Sequence, residues 1–259
     1  VERLDTLGII VLYPKYSTID LVCGTIPPKS DESVILVAEA AFTGELLKVF
    51  QHSNIAGHHV SGGKFYRGYK CKPNTGCFVF YQNQWKFLLH TYADELKLAA
   101  ENDGMGFGQN MIIYDGETQP SFRKLQSKFE YRALCEYHGK LCVIDSKGVV
   151  SYASFINSLE KIGVTHALYL DMGRGWNHSW YRNNDGKVEE IHCKDAQNIP
   201  GLFLRKCRIF YYYFAQKSLT NPIRRFIIKL WQRADHTSCH VRCKSNCYQP
   251  LPSPEAAPR

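Results

Sequence analysis

The sequence predicts an α+β fold, a curved, largely antiparallel sheet with a few helices packed on one side. Three observations carry this. Short apolar or alternating runs of strand length recur throughout residues 1–193. Glycine-containing turn signals separate many of them, among them Asp115-Gly116 and His138-Gly139. Helical periodicity is confined to a few segments, most clearly Ser151 to Ile162, where Phe155, Ile156, Leu159 and Ile162 form one stripe.

In chain order, Leu7 to Leu12 and Thr18 to Val22 read as strands with Tyr-Pro-Lys-Tyr as the turn between them. Ser33 to Ala41 begins as a buried strand and runs into Glu39-Ala-Ala-Phe42-Thr43-Gly44, which sets a carboxylate and a hydroxyl beside a glycine. Residues 45–51 read as strand. Tyr66 to Lys70, Gly76 to Tyr81 and Trp85 to Leu89 describe an antiparallel meander. Tyr92 to Glu101 reads as a short helix with Leu96, Ala99 and Ala100 on one face. Gly104 to Gln109 reads as a glycine loop presenting Gln109 to a cleft. It lacks the strand and long helix of a dinucleotide fingerprint and the Lys-Ser/Thr of a P-loop, so no nucleotide cofactor is expected. Glu130 to Glu136 and Lys140 to Ser146 form a hairpin, and Arg132 lies within it. On an inner sheet face an arginine needs a carboxylate or phosphate partner; on the outer face it is a solvated charge. The helix 151–162 stops at Gly163 and leads into the strand Ala167 to Leu170.

That strand ends in Asp171, followed by a loop with Gly173 and Gly175, Asn177, His178 and Ser179, and two tryptophans. Glycines allow close approach by a ligand. The polar groups offer hydrogen bonds, and Trp176 and Trp180 offer flat faces of the kind sugar rings pack against. This is the strongest candidate binding stretch. Asn177-His-Ser also matches a glycosylation acceptor pattern and reads as a chance match. The His58-His59 pair invites a metal reading, but adjacent residues of a strand point to opposite faces and no spaced third ligand follows. No metal site is expected.

The chain has 259 residues, ten of them cysteines, and a net charge of +8. Residues 1–193 carry 20 Lys and Arg against 21 Asp and Glu, whereas 194–259 carry 12 against 3, so the basic excess lies wholly in the C-terminal segment. The chain therefore divides into a main domain, 1–193, and a basic, cysteine-containing, partly disordered extension, 194–259. Nucleic acid is not an expected partner of the main domain. Contact with an anionic surface falls to the extension, where Ile223 to Trp231 is amphipathic and His236, Cys239, Cys243 and Cys247 recur without a Cys-x-x-Cys knuckle. Cys71 and Cys77, or Cys135 and Cys142, could bridge across their turns, or remain free buried thiols. No run approaches the ~18 apolar residues of a membrane span. The opening Val-Glu-Arg does not read as a secretory leader, and a starting valine reads as a trimmed chain.

Residues 33–192 contain an ordered set of pieces: Asn74-Thr-Gly-Cys-Phe-Val-Phe, Gly108-Gln109-Asn-Met-Ile-Ile, Tyr131-Arg132-Ala, and the helix 151–162 followed by Ala167-Leu-Tyr-Leu-Asp171-Met-Gly. In order and spacing they resemble the phosphodiester glycosidase family, most closely its Bacteroides-type members. Tyr131-Arg132-Ala stands where that family has Arg-Thr-Ala, and Leu170-Asp171-Met-Gly where it has Leu-Asp-Gly-Gly. The chain departs from the pattern at Glu39-Ala-Ala-Phe42, where the family has Asn-Gly-Gly-Phe-Phe. The resemblance implies hydrolysis of a sugar 1-phosphodiester at the anomeric carbon, in cell-envelope or glycan metabolism. It also implies a secreted, periplasmic or envelope setting and a glycan or sugar-phosphodiester substrate. Under it Asp171 and Glu39 (or Glu130) supply carboxylates and Arg132 the phosphate contact. Thr43, Gly44, His58, Gln109, Glu130, Gly173, Asn177 and His178 line the substrate. The alternative is a non-catalytic carbohydrate- or envelope-binding protein using the same cleft.

Overall fold

The computed structural model describes residues 1–23, 27–41, 55, 57–68, 70, 72–172, 179–191 and 210–215. All of them fall within one compact unit, Val1–Ser218. The first strands are β1 (Glu2–Thr6), β2 (Ile9–Tyr13), β3 (Thr18–Cys23), β4 (Val34–Glu39), β5 (His59–Ser61), β6 (Lys64–Tyr66), β7 (Thr75–Tyr81) and β8 (Gln84–Leu89). Helix α1 (Ala93–Glu101) precedes β9 (Met105–Tyr114), β10 (Glu117–Thr118), β11 (Lys128–Phe129), β12 (Arg132–Tyr137), β13 (Lys140–Ser146) and β14 (Val150–Ser151). Helix α2 (Tyr152–Ile162) leads into β15 (His166–Leu170), β16 (Trp180–Arg182), β17 (Val188–Glu190) and β18 (Phe210–Ala215).

The fold is α+β, with open, antiparallel sheets and two helices among the described residues. The larger sheet runs β1-β2-β13-β12-β15-β9-β5-β6, with β7, β8 and β10 joined through β9. A second, five-stranded sheet, small beside the first, runs β17-β16-β4-β18-β3, and β11 pairs with β14 in a two-stranded one. Strand alternation then sorts the side chains into layers. Leu134, Phe78, Phe107 and Leu168 of the large sheet meet Ile19, Leu21, Leu36 and Ala38 of the small one in a shared core. On the opposite face of the large sheet, Ala133, Cys135 and Ala167 pack under Phe155 and Leu159 of α2. Cys77 and Val79 pack under Leu96 and Ala99 of α1 on that same face. Each helix thus covers the face of the sheet that the small sheet leaves open.

Local chemistry accounts for the element ends. The Ser151 Oγ accepts the Ser154 N–H at 3.1 Å, an N-cap of the kind whose loss costs about 1 kcal/mol. Gly163 closes α2 in the left-handed region, at φ +84°. His138 and Gly139 both take positive φ, as a two-residue hairpin turn requires, and this pins β12 against β13 with Tyr137 opposite Lys140.

Several expectations are corrected. β2 and β3 do not form a hairpin: β2 lies between β1 and β13, whereas β3 pairs with β18 in the other sheet. The true hairpin partner of β2 is Glu2–Thr6, a polar, mostly exposed edge strand without an apolar run to betray it. β6 pairs with β5 rather than extending the β7–β8 hairpin. Gly104 to Gln109 is no loop, because residues from Met105 onward belong to the buried strand β9. Its glycines serve close packing. A Cβ on Gly108 would stand 2.9 Å from the Tyr92 Oη, and one on Gly106 2.8 Å from the Phe78 carbonyl oxygen. β18 comes from beyond residue 193 and occupies the position between β3 and β4. Residues 45–51, the amphipathic segment 223–231 and the His236–Cys247 group lie outside the described residues.

Cys135 and Cys142 face each other across the β12–β13 ladder as free, buried thiols, and burial pushes both thiol pKa values up. Cys77 is likewise a free buried thiol, and Cys71 lies outside the described residues. No helix among the described residues is long and apolar enough to cross a membrane.

Candidate functional site

The antiparallel register gathers the described candidates at one end of the large sheet. Arg132, the first residue of β12, sits opposite Leu170, the last residue of β15, so it neighbours the strand end from which Asp171 emerges. The Asp171 N–H donates to the Ala40 carbonyl at 3.3 Å, which places it beside the residue that follows Glu39. Met111 pairs with Leu168, so Gln109 lies two residues closer to the Asp171 end of β15. By backbone register Gln109, Arg132 and Asp171, distant in sequence, thus lie at this end of the large sheet, with Ala40, the neighbour of Glu39, beside Asp171. Thr43, Gly44, Gly173, Asn177 and His178 lie outside the described residues.

The environments of these residues differ. Arg132 is an inner-face residue, 0% exposed, and the partner its burial demands is a carboxylate. Its Nε and Nη2 fork onto the two oxygens of Asp145 at 2.6 and 2.7 Å, and Nη1 donates to the Ser179 Oγ. Bidentate pairing of this kind is the strongest form of charge-assisted hydrogen bond available to arginine. Glu39 is buried at the end of β4, on the face it shares by alternation with Val37, which packs on Trp180. Gln109 is fully buried; its Oε1 accepts the Asn110 N–H at 2.9 Å, while its Nε2 has no acceptor among the described residues. Asp171 is half-buried, and Glu130, half-buried, lies two residues ahead of Arg132.

His58 and His59 split to opposite sides. The His58 Nδ1 accepts the Gly68 N–H at 2.7 Å, and its ring meets Phe65 and Tyr92 edge-on. Burial, followed by the charges of Arg67 and Lys70, holds its pKa below the usual histidine value. His59 is buried and stacks on Tyr66, and desolvation lowers its pKa to about 4. It is a neutral core histidine at physiological pH. Among the described residues no group of three or more His, Cys, Asp or Glu side chains is placed to hold a metal.

Sequence reasoning missed Asp145, Arg123 and Tyr169, and named Ser179 for its loop rather than for its bond to Arg132. Asp145 had a signal: once the His138-Gly139 turn sets Tyr137 opposite Lys140, Arg132 must face Asp145. Tyr169 precedes Asp171 by two positions and so shares its face in an extended chain. Burial, modulated by the Arg123 and Asp171 charges, pushes the Tyr169 hydroxyl pKa up. Arg123 carried no sequence signal, since two of its three ring neighbours, Phe129 and Tyr169, come from other elements.

Neither a family model nor a curated protein matches the sequence. Among solved structures, the chain is similar to the catalytic domain of zebrafish N-acetylglucosamine-1-phosphodiester alpha-N-acetylglucosaminidase, auto-inhibited by its pro-peptide. The TM-score is 0.54 at 13% identity, covering 81% of this chain and 76% of the other. The relationship is a distant one, of fold.

Proposed function

We propose that the chain is a glycosidase-type hydrolase that cleaves a sugar 1-phosphodiester at the anomeric carbon, in cell-envelope or glycan metabolism. The observation that carries the reading is the position of Asp171. It is a half-buried carboxylate at the end of a central strand, beside Ala40 of the second sheet, in a chain whose fold is similar to a phosphodiester glycosidase catalytic domain. In the proposed reaction the bond between the anomeric carbon and the phosphate oxygen breaks, and the phosphate monoester leaves with the electron pair. Water adds to the anomeric carbon and gives its proton to a carboxylate base. Asp171 stabilises the oxocarbenium-like centre or takes that proton, and Glu39 is the candidate second carboxylate. A phosphate leaves without much protonation, so the demand falls on charge stabilisation rather than on a strong acid.

The test is turnover of a panel of sugar 1-phosphodiesters by the full chain beside Asp171→Asn. Loss of a catalytic carboxylate predicts a fall in kcat/KM of roughly 100-fold or more with folding unchanged. Saturable sugar binding without turnover in the parent chain would overturn the hydrolase reading in favour of a carbohydrate-binding protein.

A further inference from the structure

Arg123 lies in the segment that joins β10 to β11, within the basic run Arg123-Lys-Leu-Gln-Ser-Lys128. The segment is tied down rather than loose. The Ser127 and Leu125 carbonyls accept the Tyr152 and Ala153 N–H groups at the start of α2, each at 2.9 Å. The Arg123 N–H donates to the Ser121 Oγ at 3.2 Å, and the Ser127 N–H donates to the Lys124 carbonyl at 2.9 Å.

This fixed backbone projects the guanidinium into an aromatic frame. Its carbon lies 5.1 Å from the ring centre of Tyr169, 5.3 Å from that of Phe122 and 5.8 Å from that of Phe129. Nη2 donates to the Tyr169 hydroxyl at 3.0 Å. Among the described residues no carboxylate forms an ion pair with the guanidinium, and the buried Nε has no hydrogen-bond acceptor. Buried N–H groups of a charged donor without an acceptor cost free energy. Aromatic faces stabilise a cation but accept no strong hydrogen bond from it. The frame therefore holds a positive charge in place and leaves its strongest directional need unmet. Asp171 lies two residues beyond Tyr169, and its charge acts on the same hydroxyl.

We infer that Arg123, framed by Phe122, Phe129 and Tyr169, is an oxyanion contact for a phosphoryl group. A phosphate oxygen seated on the guanidinium would supply both the countercharge and the missing acceptors, in the planar geometry arginine favours. The ligand class, a phosphodiester or the phosphate released from one, rests on the hydrolase reading. The anion site rests on the guanidinium, its aromatic frame and its unmet Nε–H. Arg132, with its fork already closed on Asp145, and Arg123, with its fork open, divide the two roles of structural and ligand-facing cation.

The experiment measures thermal stability of the full chain in inorganic phosphate and, separately, in dimethyl phosphate, each against sodium chloride at equal ionic strength. A ligand that binds the native state raises the melting temperature by mass action. The parent chain is expected to show a phosphoryl-specific rise, abolished in Arg123→Gln, reduced in Arg123→Lys and retained in Lys124→Gln. Losing a charge-assisted contact corresponds to at least about tenfold weaker binding. The better of the two probes distinguishes free phosphate from a diester. No specific rise in the parent, or an equal rise in Arg123→Gln, overturns the inference; so does equal loss in Lys124→Gln, which would mark a diffuse charge effect. If Arg123→Gln does not fold, Arg123→Lys and Tyr169→Phe decide, and an undiminished rise in both overturns it. Because no turnover is needed, this result and that of the hydrolysis assay fail independently.

Discussion

Arg132 and Arg123 are separated by only nine positions and live in opposite circumstances. Arg132 is wholly enclosed between the sheets, with both oxygens of Asp145 on its fork and Ser179 on its remaining arm. Arg123 is half-buried at the edge of the helix-covered face, with three aromatic rings and one hydroxyl for company. A buried cation survives only when its countercharge is built into the fold. A rim cation can do without one, because water or a ligand completes it. Residue type alone does not reveal which of two arginines has its countercharge built into the fold; for Arg132 the opposite strand does, by setting Asp145 across from it.

The widest gap between them should appear in stability. Arg132→Met strands the Asp145 carboxylate in the core and should cost about 3–5 kcal/mol, read from urea denaturation midpoints. Replacing both partners together, Arg132→Met with Asp145→Leu, should recover much of that loss. A double variant as unstable as the single would mean that the pair also sets the geometry of the two sheets.

The two adjacent histidines repeat the contrast and offer a pH test. His59 is buried with its pKa lowered to about 4, chiefly by desolvation. The unfolded chain, with an ordinary histidine value near 6.5, takes up a proton first as pH falls. The stabilisation from keeping His59 neutral is therefore full above pH ~6.5 and is lost as pH falls toward ~4, by an amount on the order of 3 kcal/mol. Denaturation midpoints across that range should slope less steeply in His59→Phe, whereas His58→Phe should change the slope much less. Equal slopes in parent and His59→Phe would remove His59 as the cause.

The smallest effect belongs to Arg123. Arg123→Gln removes a cation held against aromatic rings and should cost only about 1–2 kcal/mol in phosphate-free solution. A loss as large as that of Arg132→Met would make Arg123 a structural cation and collapse the contrast.

Legibility in the sequence followed the range of the interaction. The helix α2 could be read from its stripe, its serine cap and its glycine stop, all within thirteen residues, Ser151 to Gly163. The β12–β13 hairpin could be read from His138-Gly139, and with it, by register alone, the pairing of Arg132 with Asp145. β1 escaped because an exposed edge strand has no apolar period to show. The glycines of β9 suggested a loop because their function is to admit the Tyr92 hydroxyl and the Phe78 carbonyl, contacts made with other elements. The wall of rings around Arg123 comes from the β10–β11 connection, β11 and β15, and no window of sequence holds all three.

By itself the sequence determined the fold class, the main helices and hairpins, and the charge division between residues 1–193 and the basic remainder. Period, capping and turn geometry act over a few residues, and they are written there. Only the tertiary structure decided which strands become neighbours, which face each charge is given, and which arginine keeps an open fork. Those outcomes depend on pairings between distant segments, where burial requires that a charge find its partner and exposure does not.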